Sequence, residues 1–543
     1  MNRKPLRLAI AALALGSASV AYAGDTEDFA ACDGLKKPKR SDDGMRGVAT
    51  ISGFNPFSSM FGKPDRKSAS KVAACDVALA HKKLLPTQTL RRAHLLRARA
   101  AARIDLGQFD SALADITQAK ALVAEQHGDP FFVRSMGVSL DLMSALANAG
   151  LGDMEEAARA AQLASAKRPY ALQVQTVAWR LNRLADRPGG DWLMKLEPQA
   201  VPQVLLAEYK AGNFAAVREL AEGDSITLQS PAVGSGGPVF AAPKLDERFL
   251  GAIVATLAAA YSDAALGAHD SARERVATVR SHLGMDLEEE GADGVMGKAT
   301  RLIADRIAIP LIALTEARLA LAEHGPKAAL DIVSGVRLPM GAATTDLFDA
   351  MREEAHGVDG LAIPDMGPEP VRREATGLAS GQMGDLAEML LIAPEAGGKL
   401  IDYKKSRPNI LGALIGGALS MGTSLLGGID RLSGFRSEQQ GDGTLKVEYV
   451  GNTTSGPVVQ EMTLLRAAEL AQEAGSPRFA IVDRRDYQRY IARTQYGVEQ
   501  SRTLSGYKTE LIVRLLDDTE PAPTAFETVA VIDDLGPLYY GEG

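Results

Sequence analysis

The sequence predicts a mainly α protein, with a helical repeat array followed by a small α+β domain. Three observations predict it. Aromatic residues make up only 5% of the chain while hydrophobic residues reach 46%, a balance that suits close-packed helices better than a large sandwich or barrel. A Gly-centred turn followed by small residues at helical spacing recurs from about Ser68 to Leu338. After Thr444 the period changes from helical to alternating, which marks a domain of different construction.

The first element is a leader. Arg3, Lys4 and Arg7 precede an apolar run from Leu8 to about Val20, and Ala21-Tyr22-Ala23 closes it. That order predicts a secretory signal peptide over residues 1–23, cleaved before Gly24. The run is shorter than the ~20 residues of a spanning helix. No Cys stands at the cleavage position, so the lipidation signal of lipoproteins is missing. The formal charge of −8 becomes −11 once the three basic residues of the leader are removed. Such an acidic chain has no electrostatic footprint for nucleic acid or anionic lipid. Its 543 residues suggest two to four domains.

Residues 24–68 form a basic, Gly- and Pro-containing lead-in, expected to be loosely ordered. It holds Cys32; Cys75 follows in the first helical stretch, and these are the two cysteines of the chain. An even pair in an exported protein predicts a Cys32–Cys75 disulfide.

The repeats span residues 69–340. Gly107-Gln108-Phe109 is followed by Ala112, Ile116 and Ala119; Gly152-Asp153-Met154 by Ala157, Ala161 and Ala164, with Pro169 closing the unit. Gly212-Asn213-Phe214 is followed by Val217 and Ala221, and Gly267 by Ala272, Val276 and Val279. A weaker unit at His324-Gly325 offers Ala329, Val333 and Val336. Residues three and four apart share one helix face, so the small side chains let a second helix pack closely on the first. The glycine ends the first helix in a left-handed cap. This pattern resembles the tetratricopeptide repeat, which implies stacked helix pairs with a concave protein- or peptide-binding side. The glycines stand about 45 to 60 residues apart rather than the family's ~34, and the usual Trp and Tyr of the first helix are missing.

Residues 341–440 read as a linker with one short helix. Within it, Ile410 to Ile429 runs without a charge and places Gly412 and Gly416 four apart. That meets the minimum length of a membrane span, but its high glycine content argues for a Gly-rich connector, since each glycine costs a helix ~1 kcal/mol. Membrane contact through 410–429 stays the lesser expectation. Residues 441–543 form the α+β domain. A half-buried strand carries Leu445, Val447 and Tyr449, a helix runs from about Val458 to Ala474, short strands cover Phe479 to Val482 and Glu510 to Leu516, and a last helix covers Phe526 to Leu535. Tyr449-Val450-Gly451-Asn452, Leu464 to Leu470, Gly475 and Phe479 resemble the core of a family of small bacterial envelope lipoproteins of unknown function. That resemblance implies a fold and an address rather than an activity. Arg466 and Glu469, three apart on the helix, read as a structural pair.

Catalytic and metal signatures are not found. No two of the seven histidines have metal-ligand spacing, and no cofactor is expected. Ala418 to Gly422 is a degenerate nucleophile elbow, but no His follows His356 to complete a hydrolase triad in that order. Gly291 to Thr300 misses the phosphate-loop spacing by one residue on each side. The same stretch, with Asp293, Gly294, Gly297 and Thr300, resembles the turn of small peptidoglycan-binding modules; the competing reading is an inter-helix turn.

The function expected is that of a non-catalytic periplasmic scaffold binding an envelope protein or peptide, with cell-wall binding through residues 293–301 as the runner-up. Arg92, Arg99 and Arg103 fall on one helix face at i, i+7 and i+11 and are the candidate contacts for an acidic partner, because arginine grips carboxylates in pairs of hydrogen bonds. A solvated or internally paired face is the alternative.

Overall fold

A computed structural model describes residues 27–38, 68–222 apart from 186 and 188, 247–284, 303–355, 380–392 and 434–540 with breaks at 452–454, 496–497 and 521, together with 45, 226, 228 and 362–364. The leader, residues 293–301 and the apolar segment 410–429 lie outside the described residues.

Five helix pairs follow from the glycine-centred turns. They are α3 (Thr89–Asp105) with α4 (Phe109–Leu122), α5 (Val138–Gly150) with α6 (Met154–Lys167), α9 (Val201–Lys210) with α10 (Phe214–Ala221), α11 (Glu247–Ala265) with α12 (His269–His282), and α13 (Ile309–His324) with α14 (Pro326–Val333). At the first turn Gly107 sits at φ 71°, a conformation that a Cβ would strain. Gln108 N–H then reaches back to the Arg103 carbonyl at 2.8 Å and Gly107 N–H to Ile104 at 3.0 Å, closing the carbonyls that the helix end leaves open. Asp153, Asn213 and Ala268 repeat the longer bond to Asn148, Glu208 and Asp263. At Gly325 the turn is tighter, with Gly325 N–H on the Leu321 carbonyl and Pro326 opening the next helix. The small residues on each second helix are buried as the period predicts, except Val336, which lies beyond the end of α14 and is half-buried.

The irregular spacing has a structural cause. Between the Gly152 and Gly212 turns the chain inserts α7 (Leu172–Leu184) and α8 (Asp191–Leu196). This insertion faces the C-terminal domain: Leu172, Trp179, Leu193 and Leu196 share one core with Phe435, Val458, Leu465 and Phe526.

The lead-in and the linker are more built-in than composition suggests. A short helix, α1 (Glu27–Asp33), buries Phe29, Cys32 and Asp33. It is tied to α2 (Ser68–Ala80) by the Cys32–Cys75 disulfide, with Cα atoms 4.7 Å apart. Past residue 340, α15 (Ala342–Glu354) buries Leu347, Phe348 and Met351 in the core of α11 to α14. Further on, α16 (Ser380–Met389) packs on α3 so closely that a Cβ at Gly384 would lie 2.4 Å from the Asp105 Cβ. The expected linker therefore extends the array at two places.

The C-terminal sheet has the order β1-β2-β4-β3-β5, with antiparallel neighbours throughout. Its strands are β1 (Gly434–Gln439), β2 (Leu445–Gly451), β3 (Arg478–Gln495), β4 (Val498–Leu516) and β5 (Phe526–Glu527). It starts before residue 441, and β3 and β4 run to 18 and 19 residues, well past the short segments the apolar pattern marks. Beyond Gly451, β2 no longer pairs with β4, and the two long strands pair with each other in a ribbon. Helix α17 (Gly456–Glu473) covers one face of the sheet, and α18 (Thr528–Tyr539) packs on α17. Among the described residues no helix is long and apolar enough to cross a membrane.

Candidate interaction site

The arginine face of α3 is the first candidate, and its donors are turned inward. Arg92 donates through Nε to the Leu85 carbonyl and through Nη2 to that of Leu84, both at 3.2 Å. Arg99 forks onto Asp115 at 2.9 and 2.6 Å and reaches Asp76 at 2.5 Å. Arg103 meets Asp115 at 2.7 Å and the Ser111 carbonyl at 3.0 Å. The three guanidinium groups join α2, α3 and α4. The sequence spacing puts the three on one helix face; the acids met by Arg99 and Arg103, Asp115 and Asp76, sit on neighbouring helices, 16 and 23 residues from Arg99. The cell-wall turn residues Asp293, Gly294, Gly297 and Thr300 lie outside the described residues. Among the described residues, no group of three or more His, Cys, Asp or Glu side chains could hold a metal ion.

A second centre, not anticipated from sequence, lies where the array meets the α+β domain. Glu461 projects from the apolar face of α17, in line with buried Val458, Leu465 and Ala468. Its carboxylate accepts from Arg168 Nε at 2.8 Å and Nη2 at 3.0 Å, and from Arg134 Nη2 at 2.9 Å. The Tyr539 hydroxyl of α18 donates to it as well. Arg168 and Glu461 are both fully buried. Burial alone would raise the Glu461 carboxyl; the Arg168 and Arg134 charges outweigh it and hold the group at about 2. Two flanking contacts extend the joint: Tyr170 OH donates to Asp534 at 2.7 Å, and Arg484 Nη1 to the Leu196 carbonyl at 3.0 Å. The available sequence signal was a charged residue inside the buried stripe of a helix, which demands a partner because a lone buried charge is costly.

The sheet face turned away from α17 is the third centre. Strand alternation puts Val447, Tyr449, Leu511 and Val513 under the helix, so their neighbours Lys446, Glu448, Lys508, Glu510 and Ile512 stand on the other face. There the charges alternate across the strands: Lys508 meets Glu448 at 3.0 Å and also Glu510, Lys446 lies 3.7 Å from Glu510, and Arg436 lies 3.4 Å from Glu448. Toward β3 the face sinks into a depression of about 260 Å³ lined by Glu438, Gln440, Lys446, Asp483, Arg485, Glu510 and Ile512. Arg485 pairs with Asp483 at 2.9 Å on its rim. The face thus presents paired charges rather than an apolar patch.

Comparison with protein-family models, with curated proteins and with solved structures finds no match to this chain.

Proposed function

We propose that this chain is a non-catalytic scaffold exported to the bacterial periplasm, where the helical array carries the α+β domain as a fixed module for an envelope protein or peptide partner. The observation that carries this reading is the buried joint at Glu461, which ties α17 to the array through Arg168 and Arg134. A joint of that kind favours a fixed display surface over two loosely strung domains. The leader pattern of residues 1–23 and the Cys32–Cys75 bond support export, since disulfides persist in oxidising compartments. In this reading the helix pairs are tetratricopeptide-like, and the last hundred residues belong with the small envelope lipoproteins they resemble. The partner contact in this reading lies on the charged outer face of the sheet, where exposed Arg485 lines the depression; the α3 arginines instead hold α2, α3 and α4 together.

The test has two parts. Osmotic shock should release the mature chain with the periplasmic fraction. In crosslinking from intact envelopes, a Lys446→Glu/Lys508→Glu variant with wild-type thermal stability should lose the partner that wild type captures. Retention in the cytoplasm, or undiminished capture by the variant, would contradict the proposal; co-sedimentation with purified cell wall would favour peptidoglycan as the ligand instead.

A further inference from the structure

The two sides of the C-terminal sheet are finished differently. On the β5 side, β3 shifts register between Ile481 and Asp483, an irregularity that interrupts a pairing edge. The helical array then closes on the strand: Arg484 Nη1 donates to the Leu196 carbonyl at 3.0 Å, and Gln199 Nε2 to the Asp483 carboxylate at 3.4 Å. On the far side, β1 is the outermost strand among the described residues. It pairs with β2 without a break from Gly434 to Gln439. The strand holds no proline, and Ser437, Glu438 and Gln439 are exposed. Two devices that blunt a sheet edge, a proline and a bulge, are therefore missing from β1.

The hairpin fixes which backbone groups face outward. Gln440 N–H donates to the Thr444 carbonyl at 2.8 Å, so Gln440 turns its backbone toward β2. In an antiparallel ladder that role alternates along the strand. Glu438 and Arg436 also turn inward to β2, while Ser437 and Gln439 present N–H and C=O away from the sheet. The side chains alternate as well. Arg436 and Glu438 stand on the face turned away from α17, opposite Glu448 and Lys446. Arg436 lies 3.4 Å from Glu448 with its side chain still 40% exposed. Glu438 has no ion pair among the described residues.

We propose that β1 is the edge through which two copies of this chain pair, antiparallel about a two-fold axis at Ser437. In that register each Ser437 exchanges both backbone hydrogen bonds with Ser437 of the second copy. Arg436 then stands opposite Glu438 of the second copy, and symmetry makes the match twice. These two residues form a non-hydrogen-bonded pair, in which Cα atoms come within about 4.5 Å and side chains approach closest. Opposite charges at such a position favour pairing, and like charges oppose it. An axis at Arg436 or at Glu438 would set like charges face to face and leave the bonding groups turned inward, so the charges select one register. The edge is complementary to itself, which favours a second copy over an unrelated strand. The pairing leaves the outer face of both sheets uncovered and does not depend on the scaffold reading.

The experiment is sedimentation of the full mature chain over a range of concentrations. One strand edge is a small interface, so the mass should rise reversibly toward twice that of the chain as concentration increases. Ser437→Pro removes the outward N–H and leaves the bonds to β2 in place; it should stay at the mass of one chain. Arg436→Glu and Glu438→Arg each set like charges across the axis, and each alone should dimerise about tenfold more weakly. Mixed in equal amounts, those two variants restore opposite charges and should recover the wild-type dimer. This arm stands even if Ser437→Pro fails to fold. A wild type that keeps the mass of one chain at every concentration, a folded Ser437→Pro that dimerises as wild type does, or a mixture no heavier than its components overturns the proposal.

Discussion

Glu461 ties α17 to the helical array through Arg168 and Arg134, and two predictions belong to it. Replacing it by Ala leaves Arg168 and Arg134 without their carboxylate in a buried joint, which should cost about 3–5 kcal/mol; chemical denaturation measures it. The second concerns acid. The folded carboxyl sits at about 2, below its ordinary 4.5. A depressed folded pKa gives stability that is fully present above the unfolded value and is lost as pH falls toward the folded one. Wild type should therefore lose stability between pH 4.5 and 2 more steeply than Glu461→Gln, by on the order of 3 kcal/mol across the window. Parallel slopes for the two proteins would show that the joint does not hold an ionised glutamate. The α3 arginines make a contrasting case. Because Arg99 and Arg103 share buried Asp115, the Arg92→Ala/Arg99→Ala/Arg103→Ala variant should unfold at lower temperature, with a loss on the order of 2–4 kcal/mol. A triple variant that melts with wild type would return that face to solvent and to the list of contact surfaces.

At the scale of elements, legibility tracks how local the determining interaction is. The turn glycines were readable because a left-handed cap needs nothing beyond six consecutive residues: Gly107 and Gly152 sit at φ 71° and 94° where the pattern puts them. The disulfide was readable because two cysteines leave one intramolecular pairing. The helix pair Arg466 and Glu469 was readable as well, and it closes at 2.9 Å, with Tyr540 and Glu473 added. What was not readable depends on distant partners. The lengths of β3 and β4 are set by their pairing with each other, and polar strand residues such as Arg484 and Asp486 are used on the helix-covered side. The structured pieces α15 and α16 looked like linker because each is short and flanked by Gly and Pro; their helicity comes from packing on α11, α13 and α3 rather than from propensity. For the α1 element the prediction is direct. The Cys32–Cys75 bond spans 43 residues of chain, so a Cys32→Ser/Cys75→Ser variant should lose about 3–4 kcal/mol, with α1 amides exchanging faster with solvent. Labelling of both thiols in unreduced, denatured protein would show that the bond does not form.

Across the whole molecule, the helical array and the α+β domain are joined into one body. Three kinds of contact join them: the Glu461 ion cluster, the shared apolar core around Trp179 and Phe526, and the bonds of Tyr170 and Arg484 across the seam. Burial of apolar area supplies the affinity of such a seam, and the ion cluster fixes its register. Most directly, this is tested by the distance between spin labels at two exposed positions, Leu163 on α6 and Val529 on α18. One narrow distance distribution is expected for otherwise wild-type protein, broadening in Glu461→Ala. A broad or two-peaked distribution in the Glu461 protein would contradict it.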